Sequence, residues 1–307
     1  MSARRRESPG GRLRELLAAA EPCQIMGAHD GLSATIAAYE GFRALWASGL
    51  CISTMLGVRD NNEASWTQVL GVVETMTEAV RIPVLVDGDT GHGTYTTARR
   101  FARRTERIGA AGVCFEDKTF PKMNSYYGNG HALAPVAEFC GKIAACKDVQ
   151  VDADFVLVAR TEALVSGRSM TEALERASAY AEAGADALFV HSRQSTDAEI
   201  AEFAGRWGGR LPLLVSPTTY PSTTLEAFSQ MGISGLIWAN QSMRAAFAAM
   251  RDTCRQVRMT GGISEVERTV APLTEIFALL RYDELAVDEE LYSGLRLAPD
   301  GPQGSTA

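Results

Sequence analysis

Eight times along this 307-residue chain a short apolar run stops abruptly at polar residues and gives way to a longer amphipathic stretch. The runs are QIMGAHD (24–30), ALWASG (44–49), PVLVDGD (83–89), GVCFED (112–117), FVLVART (155–161), ALFVHS (187–192), LLVSPT (213–218) and GLIWAN (235–240). Their length and lack of polar alternation suit strands covered on both faces, as parallel strands are. The intervening SATIAAYEGFR, EASWTQVLGVVETMTEAV, TYTTARRFARRTERIG, SMTEALERASAYAEAG and SMRAAFAAMRDTCRQV place apolar residues at helical spacing. Several of these stretches end at a glycine (Gly109, Gly184, Gly232), the residue that most easily takes the left-handed turn closing a helix. Eight strand–helix units predict an α/β fold of the (β/α)8 TIM-barrel type. The rival, a doubly wound open sheet, needs a phosphate loop after the first strand, and Gly27-Ala-His-Asp-Gly lacks its G-x-G-x-x-G spacing.

The repeat leaves three segments over. Residues 1–12 are charged and Gly-rich and are expected to be a disordered tail, as are the Pro/Gly-rich residues 297–307. Between them, 13–296 reads as a single domain, because no low-complexity linker divides it. A long helix expected over 271–293 exceeds what one barrel needs, so it is expected to pack on a neighbouring subunit. The net charge of −7 argues against a nucleic-acid partner, which a basic surface would serve. No apolar run approaches the roughly 18 residues of a membrane span, and no apolar segment follows the basic start as in a signal peptide. Six cysteines without a CxxC pair, mostly among apolar neighbours, predict buried thiols of a cytoplasmic protein.

In such barrels chemistry sits at the C-terminal strand ends. Asp87 and Asp89, two apart on one strand, project to the same side, and Glu116 ends the next strand. Three converging carboxylates would repel one another unless a hard divalent cation relieved them, although a polar turn with a capping aspartate explains DGDTGHG equally well. Arg160 closes an otherwise apolar strand. It is either a structural partner of Glu162 or a bidentate anion holder. His191 is similarly a satisfied core histidine or a site residue. The segment after strand 4, from Lys118 to His131, is long and polar, as lids at barrel mouths are. Lys122, Asn124 and Ser125 in it could donate to an anion.

Taken together, the stretches GAHDGLSA (27–34), LWASGLCIS (45–53), LGVRDNNEASWTQV (56–69), VDGDTGHG (86–93), CFEDKTFPKMNS (114–125), VARTEA (158–163), ADALFVHS (185–192) and IWAN (237–240) resemble the isocitrate lyase/phosphoenolpyruvate mutase superfamily over residues 24–293. The resemblance implies a barrel whose last helix is exchanged with a partner, in a homodimer or homotetramer. It implies Mg2+ near Asp87, Asp89 and Glu116, partly through water. It also implies a cradle for a pyruvyl group at Ser48, Gly49 and Leu50 with Trp46 nearby. By the same resemblance Asp60 adjoins the reacting group, Arg160 and His191 hold the anion, and Lys122, Asn124 and Ser125 belong to a gating loop. The superfamily's carbon–carbon lyases carry a cysteine in that loop, and Lys122-Met-Asn-Ser has none. The branch implied is therefore the isomerase that interconverts phosphoenolpyruvate and 3-phosphonopyruvate by Mg2+-dependent intramolecular phosphoryl transfer, a C–P bond-forming step of phosphonate biosynthesis.

The alternative is phosphonopyruvate hydrolase, which cleaves the C–P bond with water. Asn124 favours the mutase, since the hydrolase carries Thr there, while His191-Ser-Arg-Gln and Thr219-Tyr-Pro resemble the hydrolase. The chain departs from both patterns. His92 replaces an aromatic residue, Gly88 the usual Ala between the two aspartates, and Thr161 an aliphatic one; the gating loop is one residue shorter than in the mutases. A catalytically silent barrel scaffold is the remaining reading, and every expected site position is filled against it.

Overall fold

A computed structural model describes residues 8–125, 127–128 and 132–293. Eight parallel strands close into a barrel in sequence order: β1 Cys23–Ala28, β2 Ala44–Ala47, β3 Val84–Asp87, β4 Gly112–Glu116, β5 Val156–Thr161, β6 Ala187–Val190, β7 Leu213–Val215 and β8 Gly235–Trp238, with β8 pairing back onto β1. The fold is the expected TIM barrel. Most of the apolar runs outlast their strands by one to three residues, and these overhangs form the C-terminal rim.

The helices follow in chain order: α1 Pro9–Ala18, α2 Gly31–Tyr39, α3 Gly49–Met55, α4 Trp66–Ala79, α5 Tyr95–Arg107, α6 Val136–Lys147, α7 Met170–Glu182, α8 Ala198–Trp207, α9 Leu225–Gln230, α10 Gln241–Thr260, α11 Leu273–Leu279 and α12 Tyr282–Ser293. Polar caps start several of them; Asp30 accepts from Ser33 N–H at 2.7 Å, and Ser65 caps α4 reciprocally with Gln68.

Two expectations are corrected. The tail predicted over 1–12 gives way at Ser8, whose hydroxyl caps α1, so residues 9–12 are helical. Leu13, Leu16 and Leu17 of α1 join the core inside the barrel, where burial outweighs the polar composition of the flanking residues. The single helix expected over 271–293 is two, α11 and α12, separated at Arg281, whose φ of 59° is left-handed. The tails 1–7 and 297–307 lie outside the described residues. By compactness the chain divides into Met1–Phe247, which holds the whole barrel, and Ala248–Ala307.

Strand side chains alternate between two cores. Ala44, Trp46, Leu85, Cys114, Val156, Val158, Ala187, Phe189, Leu214 and Ile237 point into the barrel. Leu45, Ala47, Val84, Val86, Val113, Phe115, Leu157, Ala159, Leu188 and Val190 pack outward under the helices. Continuing the inward register by two residues reaches Ser48, Asp87, Glu116, Arg160, His191 and Ser216, so the period of a strand alone aims these side chains into the barrel mouth, while Asp89 follows Asp87 in the turn beyond β3.

Candidate active site

Trp46, Ser48, Leu50, Asp60, Asp87, Glu116, Lys118, Arg160, Phe189, His191, Ser216, Thr218 and Asn240 line a cavity of about 60 Å3 at this rim, with Lys122 to Ser125 of the long loop across it. Strand register sets the neighbours: Glu116 lies beside Arg160, and Arg160 beside Phe189. The rings of Trp46 and Phe189 meet at right angles with centroids 6.0 Å apart, and the Arg160 guanidinium lies 4.8 Å from the Phe189 centroid.

On one side, Ser48 caps α3, and Gly49 N–H donates to Asp87 Oδ2 at 3.2 Å. A side chain at position 49 would crowd the aspartates, because a Cβ there would lie 3.0 Å from Asp89 Oδ1 and 3.1 Å from Asp87 Oδ2. Asp89 has a φ of 51°, and its carbonyl accepts Glu116 N–H at 2.7 Å, which ties the aspartate turn to β4.

Opposite, Arg160 Nε donates to Glu162 Oε1 at 2.5 Å, and its Nη2 lies 3.2 Å from Ser125 Oγ and 2.9 Å from His191 Nδ1. The same Nδ1 lies 3.3 Å from Glu162 Oε1, so it stands between a donor and an acceptor and can bond only one of them at a time. Burial first, and Arg160 second, hold His191 below the ordinary histidine range. Burial would raise Glu162, but Arg160, Lys118 and His191 outweigh it and hold this carboxyl well below its usual range.

The loop is fastened over the mouth. Lys122 Nζ lies 2.9 Å from Asp60 Oδ1 and also pairs with Asp89, while Asn124 Nδ2 donates to Asp60 Oδ2 at 2.6 Å. Burial would raise Asp60, yet Lys122 and the hydrogen bonds from Lys122 and Asn124 keep it ionised, below its usual pKa. Ser125 Oγ donates to Glu162 Oε2 at 2.7 Å and accepts from Lys118 and Arg160, so its one proton is committed.

All the residues named from the sequence thus meet at one mouth. Sequence reasoning passed over Asn62, left Lys118, Ser216 and Asn240 without a role, and offered Glu162 only as a structural partner of Arg160. Asn62 stands two residues after Asp60 in DNNE, and the inward period reaches Ser216. A lysine such as Lys118, only 2% exposed, carries no sequence signal that separates it from a surface lysine.

The electrostatics favour a cation. Asp60, Asp87, Asp89, Glu116 and Glu162 are five carboxylates against three cations, Lys118, Lys122 and Arg160, an excess of two negative charges when all are ionised. Glu116 Oε1 is buried and accepts no hydrogen bond. Burial, with Asp87 and Asp60 nearby, pushes Asp89 up to about 7 despite Lys122, and burial with Glu162 raises Glu116. Among the described residues no three such side chains form a ready-made metal cage. Asp87, Asp89 and Glu116 could hold a hard divalent ion only if water and substrate oxygens completed its shell.

The sequence profile of phosphoenolpyruvate phosphomutase matches residues 13–258. The chain belongs to that family. Phosphoenolpyruvate phosphomutase of Streptomyces hygroscopicus is 64% identical over 294 residues, covering 95% of this chain and 93% of that one. The namesake of Streptomyces viridochromogenes is 60% identical over 96% and 93%. A crystal structure of phosphoenolpyruvate phosphomutase from Streptomyces platensis subsp. rosaceus superposes with a TM-score of 0.91 at 39% identity, over 92% of this chain and 99% of that one. Phosphonopyruvate hydrolase in complex with oxalate and Mg2+ superposes at 0.87 with 36% identity, over 93% and 99%. The phosphomutases are isomerases, so the family is one of enzymes.

Proposed function

We propose that this chain is a phosphoenolpyruvate phosphomutase that interconverts phosphoenolpyruvate and 3-phosphonopyruvate. In the forward direction the bond from phosphorus to the enol oxygen breaks and a bond from phosphorus to C3 forms, with no atom gained or lost. The observation that carries this reading is the loop closure. Asn124, held on Asp60, caps a cavity whose walls include Arg160 and His191, so a phosphoryl group in transit would be enclosed.

Ser48, Gly49 and Leu50, with Trp46 alongside, would hold the pyruvyl part while phosphorus moves between its oxygen and carbon. Arg160, His191 and Asn124 would hold the phosphoryl oxygens. Phosphoryl transfer passes through a loose transition state, so positioning and charge neutralisation supply most of the acceleration. Lys122 would keep Asp60 ionised beside the reacting group, and the loop from Lys122 to Ser125 would keep water from the phosphorus.

Asp87, Asp89 and Glu116 would hold Mg2+, in part through water. The ion would balance the excess negative charge and draw electron density from the substrate carboxylate and C2 oxygen. A homodimer or homotetramer with an exchanged terminal helix fits the exposed Leu273, Phe277, Leu285, Leu291 and Tyr292 of α11 and α12. A cytoplasmic setting without membrane or nucleic-acid partners fits the net charge of −7 and the free thiols. No helix among the described residues is long and apolar enough to cross a membrane.

The test is phosphonopyruvate with Mg2+ followed by 31P NMR. Phosphoenolpyruvate is the expected product. Stoichiometric phosphate and pyruvate would establish the hydrolase reading, which a 39% identical phosphonopyruvate hydrolase of Variovorax sp. keeps relevant.

A further inference from the structure

Four consecutive loop residues, Lys122 to Ser125, line the cavity, yet the side chains that hold their backbone in place belong to neither the anion-holding nor the acidic set. On one flank Asn62 spans two elements. Its Oδ1 accepts Lys122 N–H at 2.8 Å, and its Nδ2 donates to Asp89 Oδ2 at 2.7 Å. Asn62 has a φ of 65°, a backbone state that asparagine tolerates better than most residues with side chains. On the other flank Lys118 Nζ donates to Met123 O at 3.1 Å and Ser125 Oγ at 2.5 Å and pairs with Glu162 Oε2 at 2.9 Å. An ammonium has three protons, and here three acceptors take them, so none is left for an anion. Burial keeps water from replacing any of the three.

The two anchors bracket Asn124. One grips the residue two before it, and the other grips the residues on either side. We propose that Asn62 and Lys118 are positioning residues that pin the loop on both sides of Asn124 and thereby set how much of the phosphoryl group is lost to water. This rests on the phosphomutase reading. With the pins in place the phosphorus meets only the enol oxygen and C3. With one removed, water attacks phosphorus, a P–O bond to water forms as the C–P bond breaks, and the enolate left behind takes a proton to become pyruvate.

Asn62→Gly is the sharper variant, because glycine adopts a positive φ at no steric cost and only the two side-chain hydrogen bonds go. Lys118→Met keeps length and removes the three donors, and it is compared only if its melting temperature stays near that of the parent. Two measurements are made on the full chain. In the first, 31P NMR follows phosphonopyruvate with Mg2+ and gives the share of turnover that ends as phosphate. In the second, chymotrypsin cuts the ligand-free protein at the exposed Met123 and Tyr127. The expected result is a rise of about tenfold in both the phosphate share and the loop cleavage rate for Asn62→Gly, the size of one charge-assisted hydrogen bond. A merely structural role would lower turnover while leaving the phosphate share at the parent's value, and that result would overturn the proposal. If the parent itself yields only phosphate and pyruvate, the phosphomutase reading fails. The cleavage comparison then still decides whether Asn62 pins the loop, and an unchanged cleavage rate rejects it.

Discussion

Gly88 separates the two aspartates of β3 and its turn, and the reason it is glycine lies one strand away. A Cβ on Gly88 would lie 2.5 Å from Phe115 Cε1, 2.8 Å from Cδ1 and 2.8 Å from Val113 Cγ2. Carbon atoms prefer about 3.5–4.0 Å, so Gly88→Ala demands a shift of about 1 Å from a ring that is 1% exposed or from a turn fixed by Gly88 N–H to Cys114 O at 2.8 Å. Overpacking of this kind costs about 1–3 kcal/mol, while the lost freedom of the unfolded chain returns about 0.4–1 kcal/mol, because no left-handed φ is required here. The net expectation is a destabilisation of about 1–2 kcal/mol, or roughly 2–3 °C in melting temperature for a chain of this length. Phe115→Leu alone should also destabilise, through lost burial. The double variant should recover at least about 1 kcal/mol relative to the sum of the two, since the leucine vacates the volume the new methyl needs. Urea unfolding of the four proteins closes the cycle. Additive single effects would refute the steric account, and so would a Gly88→Ala protein more stable than the parent. Phe115 immediately precedes Glu116, so activity lost in Gly88→Ala should return with Phe115→Leu.

Two further outcomes follow from the same rim. Burial first, and the Lys122 cation second, push His92 down to about 4, and its Nε2 is buried without a hydrogen-bond partner. The unfolded imidazole binds its proton near pH 6.5 and the folded one only near 4. The unfolded state therefore holds more protons in between, and stability is lost as pH falls across that window, by at most about 1.4 kcal/mol per pH unit. His92→Asn, which tolerates the φ of 56°, should show a shallower decline of its urea midpoint between pH 6.5 and 5. Equal declines in the two proteins would remove His92 as the cause. Asp89→Ala should weaken Mg2+ binding at least tenfold in calorimetry, whether the side chain is a direct ligand or holds a liganding water, and unchanged binding would refute the assignment.

Much of the mouth was readable because a parallel strand has a fixed period and a fixed direction. Once PVLVDGD, GVCFED, FVLVART and ALFVHS are strands, the inward side of each carries its last polar residue to the rim. Asp87, Glu116, Arg160 and His191 needed no more than that. The anchors escaped for a different reason. Asn62 bonds partners 27 and 60 residues away, Asp89 and Lys122, and Lys118 looks like a surface residue by type although Glu162 just beyond β5 and Ser125 of the loop take its protons. Periodicity also ran straight through Leu280-Arg281, because an apolar pattern does not register a single left-handed residue. It missed α1 because a polar, Gly-rich start hid the three leucines that enter the barrel.

The division between strand ends and loop has an evolutionary corollary. The acidic cluster and the Arg160–Glu162 pair stand on staves of a closed cylinder, where a change disturbs packing on both faces. The loop from Lys118 to Ser125 meets that cylinder through a few side-chain bonds. Drift in this short stretch can alter which molecule is admitted to the phosphorus without disturbing the vessel that generates it. Descendants of one ancestral barrel could thus part ways in chemistry while remaining superposable in shape.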